Sequence, residues 1–145
     1  MAEGSKFRYV IPEIDPIAPA EAVKRVVLCS GKVYYDLLAE RREKHIDEVA
    51  IVRMEQLYPF PDKSLTLALA PYRNAEVVWC QEEPENSGAW TFLDRRLEKL
   101  LGHIGNAAQR PRYVGRAEAA SPATGLARQH ARQQTHLVQE ALHLA

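Results

Sequence analysis

Two stretches decide the fold: Arg25-Val26-Val27-Leu28-Cys29-Ser30-Gly31-Lys32, and Val77-Val78-Trp79-Cys80-Gln81-Glu82-Glu83-Pro84-Glu85-Asn86-Ser87-Gly88-Ala89-Trp90. Each is an apolar run, read as a β-strand, that breaks into a polar, glycine-bearing turn. In an open α/β sheet such turns gather at the carboxyl ends of the strands, where ligands and partner surfaces sit. Ser30, Gly31, Lys32, Gln81, Glu82 and Glu83 therefore form the candidate functional edge.

Outward from these stretches the alternation is regular. Strands are predicted over Arg25–Cys29, Val49–Arg53, Glu76–Cys80 and Arg112–Gly115, with helices over Lys32–Lys44, Asp62–Ala70 and Gly88–Leu101. Strands separated by helices of about ten residues imply crossover units and a mainly parallel sheet. The first helix places Val33 and Leu37, and Tyr34 and Leu38, at four-residue spacing, with Asp36, Glu40 and Arg41 elsewhere. Ser30 is in position to cap it, and Asp62, after Pro59-Phe60-Pro61, to cap the second. A terminal helix over Leu126–Ala145 gathers Gln134, Leu137, Val138, Ala141 and Leu142 on one face, for packing on the domain or on a neighbour. Residues 1–24, with Pro12, Pro16 and Pro19, read as an extended arm or linker feeding a domain over 25–145.

At 145 residues and 46% hydrophobic, the chain has the size of one compact domain. Its 19 basic and 19 acidic side chains cancel, which argues against nucleic acid and anionic membranes as partners. The start, Met1-Ala2-Glu3-Gly4-Ser5-Lys6, has no apolar core of a signal peptide, and no apolar run approaches the ~20 residues that span a bilayer. Cys29 and Cys80 each end an apolar run and read as inert core thiols, which suits a reducing cytoplasm.

The constellations that carry chemistry are thin. Glu82, Glu83 and Glu85 could supply paired carboxylates, but adjacent residues seldom face one atom and Pro84 forces an extended path, so a structural role for the turn is favoured. Ser30-Gly31-Lys32 has the ingredients of an anion cradle without the glycine spacing of a P-loop. His45, His103, His130, His136 and His143 follow no motif, and His130 and His136 lie six apart, not the three or four that put ligands on one helical face. Neither a metal site nor a base for a cysteine nucleophile emerges. Trp79 and Trp90 read as core and edge packing, with an interface role for Trp90 as the alternative. The residues alone thus give an α/β domain with a polar edge and no self-contained catalytic set. Three readings stay open: a piece of a larger enzyme, a stand-alone regulatory module binding a nucleotide or acyl-CoA, and a free-standing thiol enzyme.

A resemblance narrows these. Arg25 to Leu38, Asp47-Glu48-Val49-Ala50-Ile51-Val52-Arg53-Met54-Glu55-Gln56-Leu57-Tyr58-Pro59-Phe60-Pro61, Trp79-Cys80-Gln81-Glu82-Glu83-Pro84, Tyr113-Val114-Gly115-Arg116 and Ala120-Ser121-Pro122-Ala123-Thr124-Gly125 together closely resemble the carboxy-terminal domain of the E1 component of 2-oxoglutarate dehydrogenase. The resemblance covers nearly the whole chain. It implies a three-layer, transketolase-type carboxy-terminal domain: a mixed, mainly parallel sheet of about five strands with helices on both faces. That family is a homodimeric thiamine-diphosphate enzyme of the citric acid cycle, which decarboxylates 2-oxoglutarate and passes the succinyl group to the lipoyl arm of the E2 component. The cofactor and its magnesium lie between two preceding domains, so the resemblance implies that this segment binds neither, is silent alone, and helps complete the dimer. Some branches bind acetyl-CoA as an activator, which by resemblance would engage Lys6, Gln56 and Lys63. The family's arginine pair is here Lys63-Ser64, its serine is Tyr9, and the glutamine of its common Asn-Gln-Gly word is Ser87.

Overall fold

The computed structural model describes residues 9–116 and 127–144. Five strands form one sheet in the order β1-β3-β2-β4-β5: β1 (Val10–Ile11), β2 (Arg25–Cys29), β3 (Val49–Met54), β4 (Glu76–Pro84) and β5 (Arg112–Arg116). Four of them run parallel, and β1 joins the edge antiparallel to β3. Four α-helices occur among the described residues: α1 (Val33–Lys44), α2 (Asp62–Leu69), α3 (Trp90–Ile104) and α4 (Ala127–Leu142). The mixed, mainly parallel three-layer α/β architecture expected from the sequence is the one found.

The two-residue alternation of the strands sorts the core into two layers. Val26, Leu28, Val52, Met54, Val77 and Trp79 pack on Leu65 and Leu69 of α2 and on Leu93, Leu97 and Leu101 of α3. Val27, Cys29, Ile51, Val78 and Cys80 pack on Val33 and Leu37 of α1 and on Leu137 and Ala141 of α4. Every residue of β2 is buried because helices cover both faces. Leu137, Val138, Ala141 and Leu142 are buried within this chain, so α4 packs on its own domain. Arg25 anchors the end of that helix: its Nη1 donates to the carbonyls of Glu140, Ala141 and His143, groups a helix terminus leaves without partners.

Several local expectations differ. Strand β4 does not end at Cys80 but continues to Pro84, because β5 keeps pairing beyond an irregularity, with Pro84 opposite Arg116. Gln81, Glu82 and Glu83 are therefore strand residues rather than turn. Ser30 does not cap α1, whose N-cap position is Lys32 with no side-chain cap bond, and Asp62 is the first residue of α2 rather than its cap. Arg41, placed outside the apolar face of α1 by spacing, is only 2% exposed.

The cause of that burial is the proline-bearing arm. From Val10 onward it is sewn into the domain: Glu13 chelates Arg41 through both carboxylate oxygens, and Asp15 accepts from Arg41 Nη2 at 3.0 Å and from Arg42 Nε at 2.8 Å. Glu13 Oε1 also accepts the Ile51 backbone N–H at 2.8 Å, which ties the arm to the central sheet. A buried guanidinium is tolerated only when its charge and donors are answered, and the arm answers them.

Candidate functional site

The carboxyl ends of β2, β4 and β5 meet at one edge, and Gln81 is its centre. The side chain is 4% exposed. Its Oε1 accepts from Trp79 Nε1 at 2.8 Å and from the Trp90 backbone N–H at 3.1 Å. Its Nε2 donates toward the carbonyls of Glu83, Pro84 and Ser87 at 3.2, 2.8 and 2.7 Å. One amide thus closes the whole connection from β4 to α3. Gly88 fits this closure: its φ is +68°, and a Cβ there would sit 3.0 Å from Glu83 Oε1 and 3.1 Å from Gln81 Oε1. Trp90 is 8% exposed and belongs to the core, so the interface role offered as its alternative is not available within this fold.

Around this centre lies a polar network that spacing did not reveal. Gln134 on α4 donates from Nε2 to Asp36 Oδ2 at 2.7 Å and to Glu82 Oε2 at 2.8 Å. Its Oε1 accepts from Arg116 Nη2 at 2.8 Å, while Arg116 Nη1 donates to Gln133 Oε1 at 2.8 Å and Nη2 lies 3.2 Å from His130 Nε2. The one legible signal was Gln134 itself, a polar residue inside the apolar stripe of the last helix. Glu83 is exposed, and its backbone carbonyl accepts from the Tyr113 hydroxyl at 2.8 Å. Burial pushes the Tyr113 phenol up to about 12. Glu82 and Glu83 do not converge on a common point: one side chain faces α4 and the other faces solvent, as Pro84 implied.

Ser30, Gly31 and Lys32 sit at the same edge but outside the network. Gly31 has φ +78° and open space around it, and Gly31 and Lys32 are exposed. Cys29 and Cys80 are register partners on adjacent strands, both buried and both free. Burial drives the Cys29 thiol far up and the Cys80 thiol to about 12, the reverse of what a nucleophile needs. No group of three or more His, Cys, Asp or Glu able to hold a metal occurs among the described residues. Of the three residues assigned to acyl-CoA by resemblance, Lys6 lies outside the described residues, Gln56 is half-buried in the loop after β3, and Lys63 is exposed on α2. Lys63 lines a groove of about 720 Å³ between α2 and α3 together with Phe60, Leu67, Arg96, Lys99 and His103, and Gln56 does not line it.

The described residues offer no cluster of carboxylates that would suit the magnesium of the thiamine diphosphate site implied by the resemblance. Two carboxylates at the edge, Asp36 and Glu82, both accept from the amide of Gln134. No helix among the described residues is long and apolar enough to cross a membrane.

Comparison with known proteins gives a consistent answer. The family model described as 2-oxoglutarate dehydrogenase C-terminal matches residues 1–142. Proteins described as 2-oxoglutarate dehydrogenase E1 component from Brucella anthropi, Brucella ovis and Brucella canis are each 57% identical over 120 residues, 83% of this chain. The matched segment is 12% of each of those relatives, so this chain spans a small fraction of their length. A solved structure described as a split gene transketolase, inactive beta4 tetramer, superposes with a TM-score of 0.52 at 18% identity, covering 98% of this chain and 45% of that one, a likeness of fold.

Proposed function

Because this chain belongs to the 2-oxoglutarate dehydrogenase C-terminal family, we propose that it serves as the carboxy-terminal structural and dimerisation domain of an E1 subunit whose other domains do the chemistry. In this reading the parent enzyme uses thiamine diphosphate and magnesium to decarboxylate 2-oxoglutarate and passes the succinyl group to the E2 lipoyl arm. It does so as a cytoplasmic homodimer within a multienzyme complex. The single observation that carries the reading is the family match across residues 1–142, in a segment amounting to 12% of E1 relatives. The edge supports it: Glu82, Asp36, Gln134 and Arg116 spend polar atoms on one another, and Gln81 spends its amide on the β4–α3 connection, which suits a buttress rather than a reaction centre.

The rival, a stand-alone acyl-CoA or nucleotide module, has less support. Gln56 does not line the groove that Lys63 lines, and the arginine clamp that grips phosphate bidentately is absent from Lys63-Ser64.

The test pairs light scattering with a thiamine-dependent 2-oxoglutarate decarboxylation assay on this chain, with intact E1 as control. The expected result is no turnover by the chain alone and loss of turnover and dimer when the segment is removed from E1. Turnover by the chain alone, or an E1 that keeps full activity and its dimer without the segment, would overturn the proposal.

A further inference from the structure

The groove between α2 and α3 combines three features that occur together nowhere else among the described residues. The first is charge. Lys63, Arg96 and Lys99 line it against one carboxylate, Asp62, with His103 at the same wall. Lys63, Lys99 and Arg96 have no carboxylate partner among the described residues, whereas Arg25, Arg41, Arg42, Arg53, Arg110 and Arg112 each have one. In a chain whose formal charge is zero, this is a local excess of unanswered cations.

The second feature is an aromatic shelf at one end. Tyr58, 66% exposed, leans on Phe92 at a tilt of 48° with ring centroids 4.1 Å apart, and Phe60 meets Phe92 edge-on at 6.5 Å. The Arg96 guanidinium lies 3.8 Å above the Phe92 ring and donates to the Phe92 carbonyl at 2.7 Å. Aromatic rings with a stacked arginine are the composition of interface anchors. The third feature is Leu67, which lines the groove and is 77% exposed, the most exposed large apolar side chain of the described residues. An isolated exposed leucine is ordinary, but one set between unpaired cations and beside an aromatic shelf is part of a surface.

We infer that the α2–α3 groove is a docking site for an acidic amphipathic segment of another polypeptide, its apolar side chains seated on Leu67, Phe60 and the Tyr58–Phe92 shelf and its carboxylates on Lys63, Arg96 and Lys99. Charge complementarity selects this occupant. A second copy of the chain meeting the groove with the same face would bring the same cations to it, and like charges across an interface repel. A groove with apolar floor and basic rims matches the helix-in-groove mode, in which residues at i, i+3 or i+4 and i+7 supply the anchors. The inference concerns a surface separate from the β-strand edge and does not depend on the function proposed above.

The test is fluorescence anisotropy of this chain with a fluorescein-labelled synthetic peptide of Glu, Ala and Leu, leucines at i, i+4 and i+7, at about 0.15 M salt. Two control peptides replace Glu by Lys, or Leu by Ser. The expected result is saturable binding of the acidic peptide, none of the basic one, and roughly tenfold or greater weakening on the Leu-to-Ser peptide, in Leu67→Glu and in Lys63→Glu/Lys99→Glu. All three positions are exposed, so the variants should fold, and Lys44→Glu on α1 should bind as the parent does. The inference fails if the acidic peptide does not bind, if the variants bind unchanged, if Lys44→Glu weakens binding equally, or if the Leu-free peptide binds as well. Full displacement by stoichiometric acetyl-CoA would assign the groove to a nucleotide ligand and would also overturn it.

Discussion

Trp79 donates its indole N–H to Gln81 Oε1 at 2.8 Å, joining the most voluminous fully buried side chain of the sheet to the amide that closes the β4–α3 connection. The pair explains why an acidic, proline-containing word can follow a hydrophobic strand without unravelling it. Two buried donors, Trp79 Nε1 and the Trp90 backbone N–H, share one acceptor, and three carbonyls share one NH₂ group.

Replacing Gln81 should therefore cost far more than one surface hydrogen bond. Gln81→Ala leaves both donors without their partner and is expected to destabilise the domain by about 3 kcal/mol, since an unsatisfied buried polar group carries about 1–3 kcal/mol. Gln81→Glu keeps the acceptor but loses the donors to Glu83, Pro84 and Ser87. Urea unfolding monitored by tryptophan fluorescence reads both. A loss under about 0.5 kcal/mol for the alanine variant would show that the network is dispensable.

The buried Arg41 makes a second, different prediction. Arg41→Met strands Glu13, whose side chain is 7% exposed, and should destabilise by about 3–5 kcal/mol. Arg41→Met combined with Glu13→Leu removes both charges and should recover part of that loss, the Ile51 N–H losing its acceptor while Asp15 stays with Arg42. A double variant no more stable than Arg41→Met would contradict the assignment of the penalty to an unpaired charge.

The two thiols should be silent in the native protein. Burial raises both, pushing Cys80 up to about 12, so at neutral pH thiolate is scarce and access is blocked. Ellman's reagent should label neither cysteine on the timescale of minutes and both at once in denaturant. Rapid native labelling of either residue would instead reopen the thiol-enzyme reading.

Acid stability should carry the imprint of Asp15. Hydrogen bonds from Arg42 and Arg41 hold its carboxyl at about 2, below its ordinary 3.8. A depressed carboxylate stabilises the fold above its unfolded value, and that contribution is lost as pH falls from near 3.8 through about 2. Asp15→Asn should lower stability at neutral pH by about 1 kcal/mol or less, as for a partly exposed ion pair, and should flatten the pH dependence across that window. An unchanged acid profile in thermal melts of the variant would count against the pairing.

Strand β5 has one position without tolerance. A Cβ on Gly115 would overlap the Tyr113 hydroxyl and sit 2.7 Å from the Gln81 carbonyl oxygen. Gly115→Ala should push Tyr113 off Glu83 and lower the melting temperature by several degrees, about 4–8 °C per kcal/mol lost in a domain near this size. Pairing it with Tyr113→Phe, which removes the clashing oxygen, should restore part of the loss.

The sequence by itself determined the alternation of elements, the parallel sheet and the family. Strands that are apolar on both faces, breaking at Ser30-Gly31-Lys32 and at the acidic proline word, admit few other arrangements, because a buried strand must be covered on both sides and a crossover needs a helix. It also argued against Glu82 and Glu83 as a catalytic pair, because adjacent residues seldom face one atom and Pro84 forces an extended path. What only the tertiary structure decided are contacts between residues far apart in the chain. Arg41 reads as a surface residue until Glu13, 28 positions earlier, is folded onto it. Gln134 reads as a flaw in an apolar stripe until Asp36, 98 positions earlier, and Glu82, 52 positions earlier, arrive beneath it. The α2–α3 groove joins Lys63 and Leu67 to Arg96 and Lys99 in the same way. Periodicity is a local property that a strand or helix imposes on its own neighbours. Burial of charge and the pooling of cations depend on where separate elements come to rest, and that is fixed only when the layers pack.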